Sequence, residues 1–175
     1  MTWRVVVIAF IVGIVGLFFY GLGKDPREIP SPLTNQPAPA FTGAQVDGKA
    51  FKSDAIKGKV ALVSFWATWC TTCKADEPLI DSLHAQFSGN ADFVMIGVAT
   101  QDTKDKVGKY LGSGHRKYLN LIDEDGKLAI DFGVYGVPET YLIDRKGIIV
   151  QKIAGPIDEV KLAEQIKKLL GEKAG

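Results

Sequence analysis

Cys70-Thr71-Thr72-Cys73 holds the only two cysteines of the chain, three residues apart. At that spacing one sulfur can attack a partner disulfide and the other can free it. The pair follows an apolar run and precedes a helical pattern, so the first sulfur falls at a helix amino terminus, where unpaired amides and the macrodipole stabilise a thiolate. This makes Cys70 the expected nucleophile and Cys73, one turn into the helix, the expected resolving thiol. A loop of this size is a weak use of a purely stabilising disulfide. A zinc site needs two further ligands, and the only histidines, His84 and His115, stand at no recognised finger spacing. A c-type haem attachment motif needs histidine after the second cysteine, where Lys74 stands instead.

Three acids surround this chemistry: Asp76, Glu77 and Glu139. Asp76 lies three residues after Cys73, near its face of the helix, where a carboxylate can raise the thiol pKa or take its proton. Glu139 directly follows Val137-Pro138, the candidate for a cis proline that holds an extended substrate strand. X-Pro bonds are cis in only about 5–6% of cases, so the dipeptide alone does not fix that state. Asp76 and Glu139 are the candidate proton relay, and Glu77 is read as a solvated surface charge. His84 and His115 are read as surface or packing residues.

The elements that must position these groups are legible as periodicities. Val60 to Trp66 is continuously apolar, as in a strand buried on both faces, and ends at the motif. Leu79, Leu83 and Phe87, with Ile80, give the following helix an apolar stripe. Phe93 to Ala99 reads as the next buried strand, Thr103 to Leu111 as a helix capped by Thr103, and Tyr118 to Ile122 as a short strand. Thr140–Ile143 and Ile148–Ile153 form an antiparallel hairpin about Asp144-Arg145-Lys146-Gly147. Asp158 caps a last helix through Leu162, Ile166, Leu169 and Leu170. A βαβ unit followed by a hairpin and helix predicts an α/β fold, a mixed sheet with helices on both faces. The turn at Asp47-Gly48 opens the domain.

Val5 to Leu22 carries no charge and, at 1.5 Å per residue, reaches roughly 27 Å, close to the thickness of a bilayer core. No suitable cleavage site follows, since Ala38-Pro39-Ala40 lies far downstream with a central proline, so the stretch reads as an uncleaved anchor. The expected organisation is residues 1–4 ahead of a transmembrane anchor at 5–22, a proline-rich linker at 23–37 and one domain at 38–175. Arg4 before the span and Lys24 and Arg27 after it leave the orientation open. It is the redox pair, together with the resemblance described next, that puts residues 1–4 on the cytoplasmic side. Of 175 residues, 46% are hydrophobic and 23% charged, enough for a core without staples. The net charge of +1, with Lys and Arg scattered among the acids, excludes the electrostatic footprint of a nucleic-acid binder.

Trp66-Ala67-Thr68-Trp69-Cys70-Thr71-Thr72-Cys73 resembles the thioredoxin-like active site, and Gly136-Val137-Pro138-Glu139-Thr140-Tyr141-Leu142-Ile143-Asp144 resembles its cis-proline segment. With Gly23-Lys24-Asp25-Pro26, Ile29-Pro30-Ser31-Pro32-Leu33, Pro37-Ala38-Pro39-Ala40-Phe41, Gly97-Val98 and Asp131-Phe132-Gly133-Val134-Tyr135-Gly136, nearly the whole chain is similar to the thiol:disulfide oxidoreductases of cytochrome c biogenesis, the CcmG/DsbE family. The resemblance implies a thioredoxin-like fold on the periplasmic side of a bacterial inner membrane. It implies no cofactor beyond a redox-active Cys70–Cys73 disulfide, and a substrate segment held by Trp69, Val137 and Pro138. Its partners would be apocytochrome c or the thiol proteins of haem ligation, with a membrane electron donor of the DsbD/CcdA type. The family's acid three residues after the second cysteine falls on Asp76, and its post-proline glutamate on Glu139. Thr71 departs from the family's usual proline, Asp76 from its glutamate, and Ser64 stands where thioredoxin has a buried aspartate, so Cys73 needs another proton acceptor. A general reductase of exported proteins, a disulfide-forming oxidase and a non-catalytic anchored scaffold are the competing functions.

Overall fold

The computed structural model describes residues 2–22 and 33–171, with side chains of the first helix described from Trp3 to Leu17. Much of the expected linker, from Gly23 to Pro32, lies outside the described residues. Helix α1, Thr2–Leu22, exposes every described side chain from Trp3 to Leu17. Among the described residues no helix is long and apolar enough to cross a membrane.

The remaining elements build one sheet. Its strands are β1 (Thr42–Gln45), β2 (Ala50–Lys52), β3 (Val60–Trp66), β4 (Phe93–Thr100), β5 (Leu119–Asp123), β6 (Glu139–Ile143) and β7 (Ile149–Ala154), ordered β2-β1-β5-β4-β3-β6-β7. The β3/β4 and β4/β5 pairs are parallel, and the β3/β6 and β6/β7 pairs antiparallel. The expected mixed sheet is therefore present, with the run from Val60 to Trp66 as a wholly buried interior strand between β4 and β6. Connecting the strands are α2 (Thr71–Phe87), α3 (Lys104–Gly112) and α4 (Lys127–Asp131), and α5 (Glu159–Gly171) follows the last strand.

Side-chain alternation sorts the core into two layers. Leu62 and Leu142 meet Ile80 and Leu83 of α2 and Leu162 and Ile166 of α5 on one face. Val107 of α3 joins that side against Trp66 and Cys73. On the other face Phe65 and Tyr141 pack against Phe132, Leu128 of α4 and Phe41. Gly97 of β4 allows close packing beside the active-site strand. A Cβ there would lie 2.2 Å from Asn120 Oδ1 and 2.9 Å from Trp66 Nε1, between two atoms already joined by a 3.1 Å hydrogen bond.

Thr103 occupies the N-cap position of α3, but its side chain makes no capping bond. Asp158 does cap α5, its Oδ1 accepting the Lys161 amide at 3.1 Å. The hairpin turn closes on Gly147 at φ 79°, a left-handed conformation that costs glycine nothing. Short β1 and β2 about the Asp47-Gly48 turn, and the five-residue α4, are additions to the sequence reading. Residues 35–38 run along the start of β7, with Asn35 N–H donating to Ile149 O and Ala38 N–H to Gly147 O, both at 2.8 Å.

Candidate active site

Strand β3 ends at Trp66, and the chain turns through Thr68 and Trp69 into α2. The turn is held from the β4–α3 loop. Asp102, buried, accepts the Thr68 amide on Oδ2 at 2.6 Å and the Thr103 amide on Oδ1 at 2.9 Å. Trp69 Nε1 donates to Gln101 O at 3.1 Å, yet the residue stays 57% exposed, a flat apolar surface beside the cysteines. Asp102 escaped the sequence reading because nothing in its neighbourhood marks it as different from a solvated loop acid.

Cys70 is the N-cap of α2, and its sulfur accepts the Cys73 amide at 3.0 Å. No acid occupies the first turn of α2, so the helix terminus acts on this sulfur unopposed and favours a thiolate. The two cysteines are joined, with Cα atoms 5.3 Å apart. Cys70 keeps 6% exposure and Cys73 only 1%, so the first sulfur is the one nearer a partner. Across from it Val137-Pro138 is cis, and Val137 O lies 3.5 Å from Cys70 Sγ. Trp69, Cys70, Val137 and Pro138 are thus brought to one end of the sheet. Pro138 O accepts the Gly155 amide at 2.8 Å.

The two acids of the expected relay are not brought together. Asp76 sits on the α2 face, buried, with Oδ1 accepting the Ile157 amide at 3.1 Å. Burial raises its pKa, partly offset by that hydrogen bond and by the charge of Arg116. On β6, Glu139 alternates with Thr140 and projects to the opposite face with Tyr141. There Oε1 accepts the Tyr135 amide at 3.1 Å, and Oε2 contacts the Tyr141 hydroxyl at 3.1 Å and the Lys152 ammonium at 2.9 Å. Lys152 Nζ also donates to Gly133 O at 2.8 Å. Glu139 therefore clamps the 132–138 loop that carries the cis proline. Ser64, in place of a buried acid, accepts from the Thr140 hydroxyl at 3.2 Å.

Glu77 is corrected by the structure. Rather than a solvated charge it is buried, accepting from the Tyr110 hydroxyl at 2.6 Å and lying 2.6 Å from His115 Nδ1 and 3.3 Å from Arg116 Nε. Burial, with the bond to Glu77 second, pushes the Tyr110 hydroxyl up to about 12. The signal was in the helix phase: Glu77 is four residues after Cys73 and three before Ile80, both buried. His115 stacks on Tyr110, and the His84 ring lies tilted against Tyr118 with centroids 5.5 Å apart, the packing roles expected of them.

Residues 33–167 match the Redoxin family. The thiol:disulfide interchange protein DsbE of Pseudomonas aeruginosa is 41% identical over 160 residues, covering 89% of this chain and 86% of that protein. DsbE of Pseudomonas fluorescens biotype C is 38% identical over 177 residues, covering 97% of each. A crystal structure of a thioredoxin-family thiol:disulfide interchange protein from Chlorobium tepidum superposes with a TM-score of 0.69 at 28% identity, over 82% of this chain and all of that one. A sulfur at a helix terminus, a second sulfur beneath it and a cis proline alongside are the means of thiol–disulfide exchange, and with these relatives they show that the chain is a thioredoxin-like disulfide oxidoreductase belonging to the redoxins, within the CcmG/DsbE family.

Proposed function

We propose that the chain is a membrane-anchored reductase on the periplasmic side of a bacterial inner membrane, acting on the Cys-x-x-Cys-His cysteines of apocytochrome c or on thiol proteins of haem ligation. A membrane donor of the DsbD/CcdA type returns it to the dithiol. The observation that carries this reading is the placement of Cys70 at the α2 terminus, 3.5 Å from the carbonyl of the cis-proline segment, in a chain whose relatives are DsbE proteins. The anchor is supported by the apolar sequence of α1 and by the exposure of its described side chains. No cofactor is required, because the dithiol itself supplies the two electrons.

In the reducing half-cycle the Cys70 thiolate attacks one sulfur of the substrate disulfide, and the other substrate sulfur leaves as a thiolate and takes up a proton. An extended substrate segment lies against Trp69 and pairs with the backbone at Val137, with Pro138 presenting no amide to compete. Cys73 then loses its proton and attacks Cys70 Sγ. The Cys70–Cys73 bond forms, the mixed disulfide breaks, and the second substrate thiolate is released. Asp76 takes the Cys73 proton: it shares the α2 face with Cys73, and burial lifts its carboxyl toward the range of a useful base. Glu139, across the sheet, serves by holding the proline loop.

The test is to express Cys73→Ser in membranes, trap mixed disulfides and identify the captured proteins. Apocytochrome c or a haem-ligation thiol protein joined to Cys70 is the expected result. Capture of a broad set of unrelated exported proteins would instead establish the general reductase, and no capture would remove substrate exchange at Cys70.

A further inference from the structure

The loop between α3 and β5 sends Arg116 into the protein beneath the redox pair. The residue is 3% exposed. Its Nη2 donates to the Cys73 carbonyl at 2.8 Å and Nη1 to the Tyr118 hydroxyl at 2.7 Å. Its Cζ lies 4.5 Å from the centroid of Trp66, whose ring it faces. One guanidinium thus touches both segments that carry the active site, the end of β3 and the first turn of α2. Its backbone is left-handed at φ 45°, a conformation that long side chains rarely adopt. Asn120 secures it by donating to the carbonyls of Arg116 at 2.9 Å and Tyr118 at 2.7 Å, while its own Oδ1 holds Trp66. A buried cation is costly unless it is paired. The one ion pair of this guanidinium among the described residues is Glu77, 3.3 Å from Nε and without hydrogen-bond alignment, so the Nη2 edge presents positive charge to the start of α2.

We propose that Arg116 is a positioning residue for the resolving step, fixing the first turn of α2 through the Cys73 carbonyl and favouring the Cys73 thiolate by its buried charge. This rests on the reading of Cys73 as the resolving thiol. The charged and titratable groups around the guanidinium are Asp76, Glu77 and Asp81 from α2, Tyr110 from α3, and His115 and Tyr118 from its own loop. The acids oppose a thiolate at Cys73, and Arg116 is the buried cation among them. Its charge also works against the burial that raises Asp76, so both partners of the proton transfer feel it.

The experiment uses the full-length chain in detergent. In a Cys70→Ser background, thiolate absorbance at about 240 nm is titrated against pH and reads Cys73 without requiring access to it. Arg116→Gln should raise the Cys73 pKa by about one unit, the size expected on losing a nearby opposite charge, and Arg116→Lys should fall between it and the parent. Glu77→Gln should move it the other way. With both cysteines present, Arg116→Gln should slow release of a preformed mixed disulfide about threefold, the lost thiolate being partly offset by the greater nucleophilicity of a more basic sulfur, while alkylation of Cys70 keeps its rate. A folded Arg116→Gln with unchanged pKa and release rate overturns the proposal. If that variant does not fold by circular dichroism, an unchanged pKa in Glu77→Gln overturns it instead. Release as fast from Cys73→Ser as from the parent would show that the resolving assignment has failed, which is a different result.

Discussion

Two buried carboxylates with the same expected role sit in different surroundings, and the surroundings separate what each does. Glu139 and Lys152 have side chains 4% and 1% exposed, and neither can lose its partner without stranding a charge. Glu139→Gln should therefore cost about 3–5 kcal/mol in urea unfolding, while Glu139→Gln/Lys152→Met should recover much of that. A small loss in the single variant would show that Lys152 finds water. Asp76 is the reverse case, since burial raises its pKa. Below the ordinary carboxylate range it is protonated folded and unfolded alike. As pH rises the unfolded chain ionises first, so stability falls until the raised folded value is passed. Asp76→Asn escapes that loss: it should be more stable than the parent at neutral pH, by a margin that closes toward about pH 4, and should change the pH profile of disulfide reduction. An unfolding free energy with the same pH dependence in both proteins would discard the argument. The sequence brought both acids to notice by their distance from the cysteines and the proline. It could not place them on opposite faces of the sheet, which depends on how β6 pairs with β3.

At the scale of elements, long periodic segments were readable and short ones were not. Strand β3 has its expected bounds, and β4, β5, β6 and β7 lie within a residue or so of theirs, because a central strand must be apolar along its whole length and an edge hairpin needs its glycine turn. Helix α4 spans five residues, too few for a periodicity. It is set instead by Asp123, whose carboxylate accepts the Leu128 amide at 2.8 Å and the Ala129 amide at 3.1 Å. Cap chemistry was legible only where a long helix followed it. Asp158→Ala should remove the cap of α5 and lower stability by about 1 kcal/mol, measured as a shift in urea midpoint at constant slope. No shift would mean that the exposed end of α5 is held by its packing alone.

For the whole molecule, the apolar helix α1 is the part that the folded domain does not explain. With the anchor proposed above, the full chain should remain in the membrane fraction after carbonate washing, and a form beginning at residue 33 should not. Recovery of the full-length chain in the wash would sink the anchor. The pairing of residues 35–38 with the start of β7 then sets how the domain is presented. Ala38 binds Gly147 in the β6–β7 turn, and β6 runs antiparallel to β3 with Ile143 opposite Ala61. The turn is therefore at the end of the sheet away from Cys70, about 20 Å from it along seven residues of strand. The tether joins one pole of the domain and the sulfurs occupy the other. The pairing of residues 35–38 therefore leaves the redox pole uncovered, and an incoming polypeptide meets the exposed Trp69 at the opposite end of the sheet from the entry of the chain.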